Sequence, residues 1–116
     1  MHELSLCQDL IDQLTRLANQ NDAVAVARIE VQVGVLSGVE AELFETAFTL
    51  AKQGSVAETA ELLTEVTGPR VACRSCGETS AVPPNKLVCP VCGSLGTDLV
   101  GGHELILARV ELVRNE

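Results

Sequence analysis

The sequence predicts an α+β fold: two helices packed on a three-stranded sheet, with a small four-cysteine unit inserted before the last strand. Three observations lead there. Apolar residues recur at helical intervals in two stretches, three other stretches read as strands, and four of the five cysteines fall within residues 71–98. At 116 residues the chain has the size of one compact domain with a small appendage.

The first helix is predicted over residues 4–20. Leu4, Cys7, Leu10, Ile11, Leu14, Leu17 and Ala18 form its apolar stripe, and Asn19 to Asp22 end it. Arg28 to Val33 alternates, with Ile29, Val31 and Val33 on one side, and reads as a half-buried strand stopped by Gly34. Ser37 and Glu40 have the spacing of a capping box, so the second helix is expected to start there. It carries Leu43, Phe44, Ala47, Phe48, Leu50 and Ala51, and Gly54 is placed as its C′ residue. Glu61 to Thr67 reads as a second strand ending at Gly68-Pro69, and Glu104 to Val113 as a third. Two helices on one face of three strands is the simplest packing that buries every apolar stripe.

Charge and composition divide the chain. Residues 1–70 carry 11 acids and 4 bases, whereas residues 71–98 carry two of each and three of the four prolines. The expected organisation is an α/β domain from residues 1–70 and 99–116, interrupted by a separate unit at 71–98. A net charge of −8 with eight scattered bases excludes a nucleic-acid binder, since phosphate-driven affinity needs clustered Lys and Arg. With Phe44 and Phe48 as the whole aromatic content, there is no stacking platform for bases either. The N-terminus has no basic region ahead of an apolar run, and no run approaches the ~18 residues of a membrane span. The expected location is the cytoplasm, where thiols stay reduced. No membrane association is expected.

Cys73-Arg-Ser-Cys76 and Cys89-Pro-Val-Cys92, separated by twelve residues, carry the strongest chemical signal. Two residues between cysteines let one tight turn aim both sulfurs at a common point. Two such turns supply four thiolates in a tetrahedron, the coordination of a structural Zn(II). Gly77 and Gly93, each directly after a pair, suit turns that need positive φ. Iron in a rubredoxin-like site and a redox dithiol are the alternatives the pattern leaves open. A closed four-thiolate zinc ribbon has no open position, so it folds the protein and catalyses nothing.

A second signal lies at Met1-His2-Glu3. The α-amine, backbone amides and the His2 imidazole place several nitrogens within one short segment, the donor set suited to square-planar Ni(II) or Cu(II). A solvated terminus is the plain alternative. Cys7, on an apolar stripe, is expected as a buried thiol, and His103 as a loop residue with a supplementary ligand role as its alternative.

Taken together, Met-His-Glu-Leu-Ser-Leu-Cys-Gln at the start, Val-Gly-Val-Leu-Ser-Gly-Val-Glu, Gly-Ser-Val-Ala-Glu and the cysteine quartet resemble the HypA/HybF family over essentially the whole chain. Those proteins are nickel metallochaperones for the maturation of NiFe hydrogenases. The resemblance implies His2 as the essential nickel ligand, with Glu3 supplying a backbone nitrogen. It implies Cys73, Cys76, Cys89 and Cys92 as zinc ligands. It also implies work with the nickel-binding GTPase HypB, delivery to the hydrogenase large subunit precursor and, in some organisms, service to urease. A monomer and a homodimer are both compatible with it. No histidine lies between the cysteine pairs, so the ribbon supplies no assignable nickel ligand. An interaction scaffold without nickel transfer is the alternative function. An enzyme is not expected: the sequence offers no nucleophile–base set, no phosphate loop and no open metal position.

Overall fold

The computed structural model describes residues 2–114, with only the backbone of His2 among them. The elements are α1 (His2–Gln20), β1 (Ala23–Gly34), α2 (Ala41–Ala51), β2 (Glu61–Thr67), β3 (Arg70–Cys73), β4 (Thr79–Ala81), β5 (Thr97–Gly101) and β6 (Leu105–Arg114). They form two three-stranded sheets, ordered β2-β1-β6 and β4-β3-β5. Two helices and a three-stranded sheet are therefore present as expected, and the cysteine segment has a sheet of its own.

Two compact units divide the chain. One comprises residues 1–31, 40–65 and 107–116; the other comprises 32–39 and 66–106.

In the first unit, α1 buries Cys7, Leu10, Leu14 and Ala18 at helical spacing, and α2 buries Phe44 and Phe48 one turn apart. Val26, Ile29 and Val31 of β1 complete this core with Ala57 and Ala60. Burying each phenylalanine contributes ~1.5–3 kcal/mol. The Cys7 thiol donates to the Phe44 carbonyl at 3.4 Å. At the end of α1, Asn21 Nδ2 donates to the Leu17 carbonyl at 2.8 Å, and Asp22 adopts φ 53° in the turn.

Three local details differ from the sequence reading. First, β1 begins at Ala23, five residues earlier than expected, because burial slips by one position between Val26 and Ile29 and hides the alternation. Second, the Ser37–Glu40 capping box does not form. Ser37 Oγ accepts the Val39 N–H at 3.2 Å in a local turn, and Glu40, extended at φ −93°, is the N-cap without a side-chain bond. A serine hydroxyl two residues from an amide closes this turn more readily than it reaches a helix three residues away. Third, Gly54 (φ 74°) lies one position beyond C′, since Lys52 is the C-cap.

In the second unit, β3 is the central strand. It pairs antiparallel with β4 (Val71↔Ser80) and with β5 (Val71↔Leu99), with a register shift between Arg70 and Val71. Val71, Cys73, Val82 and Cys89 supply most of its small core, with Pro69 also fully buried. Backbone hydrogen bonds from Val35 to Thr67 (2.9 Å) and from Leu36 to Gly102 (2.8 Å) bring residues 32–39 into this unit. Gly102, at φ 81°, abuts the Gly68 carbonyl and Pro69 Cα so closely that no Cβ fits.

Candidate metal centre

Both Cys-x-x-Cys segments fold into the same turn. The Cys73 carbonyl accepts the Gly77 N–H at 3.0 Å, and the Cys89 carbonyl accepts the Gly93 N–H at 2.9 Å. One residue further on, the Glu78 carbonyl accepts the Cys73 N–H at 2.9 Å, and the Ser94 carbonyl accepts the Cys89 N–H at 3.1 Å. Gly77 (φ 80°) and Gly93 (φ 77°) take the left-handed conformation that lets each turn close. The two turns are joined at their tips, where Ser75 Oγ and Ser94 Oγ lie 3.1 Å apart. The sequence reading did not single out these serines. Ser75 lies inside one cysteine pair and Ser94 just past the other, and nothing short of the paired fold brings them together.

The four sulfurs converge. Cys73 Sγ and Cys92 Sγ are 3.5 Å apart, Cys76 Sγ and Cys89 Sγ are 3.6 Å apart, and all four lie within 4.8 Å of one another. Regular tetrahedral coordination with Zn–S of ~2.3 Å requires S···S edges of ~3.8 Å. The observed separations bracket that value, so the residues present fit a tetrahedral, thiophilic divalent ion. Among the described residues no other His, Cys, Asp or Glu side chains gather in this way.

Electrostatics within the group prepare it for a cation. The Cys73 thiol is pulled down to about 6, first by the Cys76 backbone N–H, against some desolvation, and then by the Ser75 N–H and the neighbouring sulfurs. Those two amides lie 3.4 and 3.3 Å from its sulfur. Cys89 is lowered in the same way, led by the Cys92 backbone N–H. Cys76 goes the other way, up to about 12: the Glu78 N–H favours its thiolate, but desolvation and the surrounding sulfurs outweigh it. Cys92 also rises, because adjacent sulfurs and desolvation outweigh the Ser94 N–H. Two of the four thiols are thus shifted toward the thiolate and two away from it, and a divalent ion held there would displace the remaining protons.

The remaining candidate residues lie elsewhere. Met1 and the His2 side chain are outside the described residues. Glu3 lies in the first turn of α1 and lines a groove of about 220 Å³ with Leu4, Leu43, Thr46, Ala47 and Leu50. His103 Nε2 is 3.9 Å from Glu104 Oε1 and belongs to no ligand group among the described residues.

The family model for hydrogenase/urease nickel incorporation, the metallochaperone HypA, matches residues 1–112. The chain belongs to the HypA family. It is 41% identical over 112 residues to the hydrogenase maturation factor HypA of Aquifex aeolicus, covering 97% of each chain. It is also 41% identical over 113 residues to the corresponding factor of Nitrosospira multiformis, covering 97% of this chain and 98% of that one. The solution structure of the Ni metallochaperone HypA from Helicobacter pylori superposes with a TM-score of 0.74 at 27% identity, covering 97% and 98% of the two chains. The HypA family is one of metallochaperones for hydrogenase maturation, and the four-cysteine group described above is one that could hold a metal ion. Among the described residues no helix is long and apolar enough to cross a membrane.

Proposed function

We propose that this HypA-family chain carries Ni(II) at its N-terminus and holds a structural Zn(II) at Cys73, Cys76, Cys89 and Cys92. Nickel is the cargo, bound through the His2 imidazole and the backbone nitrogens of His2 and Glu3, with the Met1 amine as a further donor. It is assigned to the part built from residues 1–70 and 99–116, and zinc to residues 71–98. Delivery is to the hydrogenase large subunit precursor, with urease as a second client, in the cytoplasm. Nucleotide hydrolysis belongs to the GTPase HypB, since this chain has no phosphate loop.

One observation carries the nickel assignment: α1 begins at His2. The first four N–H groups of a helix have no intrahelical acceptor, so the amides of His2 and Glu3 are free of backbone bonding. A metal-bound amide nitrogen that has lost its proton is anionic, and the positive end of the helix dipole favours an anion there. The chemistry of these donors then selects the metal. Amide and imidazole nitrogens in a plane suit Ni(II), whereas Zn(II) has no planar preference and is better served by thiolates.

The four thiolates supply coordination that ties two turns into one unit, which its few buried side chains alone do not provide. Zinc bound there would contribute folding energy and no reaction.

Titration of Ni(II) into zinc-loaded protein, wild type against His2→Ala and His2→Gln, tests the assignment. Nickel binding is expected to vanish in both variants with zinc content unchanged. Unaltered nickel affinity in both variants would overturn it and move the site elsewhere, with His103 as the first candidate, whereas a wild type that binds no nickel would favour the scaffold reading.

A further inference from the structure

We propose that the outer edge of β6 is a self-association surface, on which a second copy of this chain pairs its own β6 antiparallel in a register centred on Val110.

The strand is an edge of its sheet, with β1 on one side and no neighbour on the other among the described residues. It is ten residues long and none of them is buried. Such an edge presents a row of unpaired backbone donors and acceptors, and proteins usually blunt it with proline, lysine or shortness. Leu105–Arg114 contains no proline, glycine or lysine.

The sequence of β6 is complementary to itself over nearly its whole length in one register. Centred on Val110, an antiparallel pair sets Arg109 opposite Glu111 of the second copy, and Glu111 opposite its Arg109. Ala108 then faces Leu112, Leu107 faces Val113, and Val110 faces Val110 on the axis. Opposed side chains in such a ladder have Cβ atoms ~4.5–5.5 Å apart, so the four charges form a close quartet. Neighbouring registers lose this. Centring on Arg109 or Glu111 opposes like charges, and a half-step shift sets each charge against an apolar side chain. Within one chain Arg109 and Glu111 already touch at 3.7 Å, and each also reaches a charge on β1, Arg109 to Glu30 and Glu111 to Arg28 at 3.9 Å, so a second pair would extend this partly exposed network.

The other edges fit less well. On β2, Glu61 and Glu65 have no base on their own strand to oppose them. Joining β2 of one copy to β6 of the next would leave free edges at both ends and grow without closing, whereas β6 with β6 closes around a two-fold axis. β4 and β5 offer three and five residues. The net charge of −8 per copy opposes association. At ~0.15 M salt, however, the screening length is ~8 Å, so distant charges fade while the quartet at ~5 Å still acts.

Sedimentation velocity on the metal-loaded full chain, over about 10 μM to about 1 mM at ~0.15 M salt, tests this by mass action. Wild type is expected to shift from monomer toward dimer as concentration rises. Arg109→Glu alone and Glu111→Arg alone should each weaken dimerisation at least ~10-fold, about 1.4 kcal/mol. An equimolar mixture of the two variants should dimerise again, because each supplies the charges the other lacks. Circular dichroism of each variant checks that its fold is kept, and heterodimerisation itself shows it. A wild type monomeric throughout, single variants that dimerise as well as wild type, or a mixture as weak as its components would each overturn the proposal.

Discussion

Cys7 and Phe44 are 37 residues apart in sequence, and the thiol of one donates to the backbone carbonyl of the other at 3.4 Å. The bond ties α1 to α2 beside the two buried phenylalanines. Burial, reinforced by the negative charge of Glu3, pushes the Cys7 thiol up to about 11 from 9.0. Its neutral form is therefore favoured in the folded chain. The resulting stability is fully present below pH 9.0 and is lost as pH rises through about 11. Thermal midpoints at successive pH values should fall across this window in wild type, and less steeply in Cys7→Ser. Parallel slopes would contradict the assignment.

Removing a sulfur should act locally. Cys73→Ala or Cys92→Ala is expected to abolish tight metal binding and dissolve β3, β4 and β5, while α1 and α2 persist. Structural zinc contributes ~10–16 kcal/mol of apparent binding energy in small zinc domains, far more than the few buried side chains here can replace. Metal analysis together with residue-resolved amide spectra would show the outcome. Iron in place of zinc in protein purified without added metal would refute the zinc assignment.

Acid should release the ion. The thiolate of Cys73 is stabilised, with its pKa lowered from 9.0 to about 6, so its contribution is full above pH 9.0 and is lost as pH falls from there through about 6. A bound cation holds the thiolate more firmly still, which moves release lower. A colorimetric chelator should therefore extract nothing quickly at pH 7 and should take the metal only below about pH 6.

Two glycines with nearly the same φ should respond differently to alanine. Gly38 (φ 80°) has open space around its Cα, whereas Gly102 (φ 81°) abuts Gly68 and Pro69 backbone. Gly38→Ala should cost only the left-handed conformation, ~1–2 kcal/mol. Gly102→Ala adds backbone displacement and should cost more, ~3 kcal/mol or above. Urea unfolding of both variants would measure the difference.

Much of this was readable from residue order. The α1 stripe from Leu4 to Ala18 and the Phe44–Phe48 pair follow from periodicity, because each packs one face of its helix inward, whereas β2 alternates poorly and its end is marked by Gly68-Pro69. The cysteine spacing likewise indicated four converging sulfurs. Where local rules compete, the sequence was less informative. Ser37 had two amides within reach, and the nearer one won. Residues 23–27 escaped notice because a strand whose burial phase slips no longer alternates. The strands β3, β4 and β5 are short, and their pairing rests on contacts such as Val71↔Leu99 between residues 28 apart, which leave no local periodic trace.

The four sulfurs are not equivalent toward solvent. Cys73 and Cys89 are buried, while Cys76 and Cys92 are exposed. Cys73 and Cys89 would hold an ion from the protein side, one from each turn, and Cys76 and Cys92 would close the site toward solvent. A competing ligand in solution would therefore meet the sulfurs of Cys76 and Cys92 before those of the inner pair.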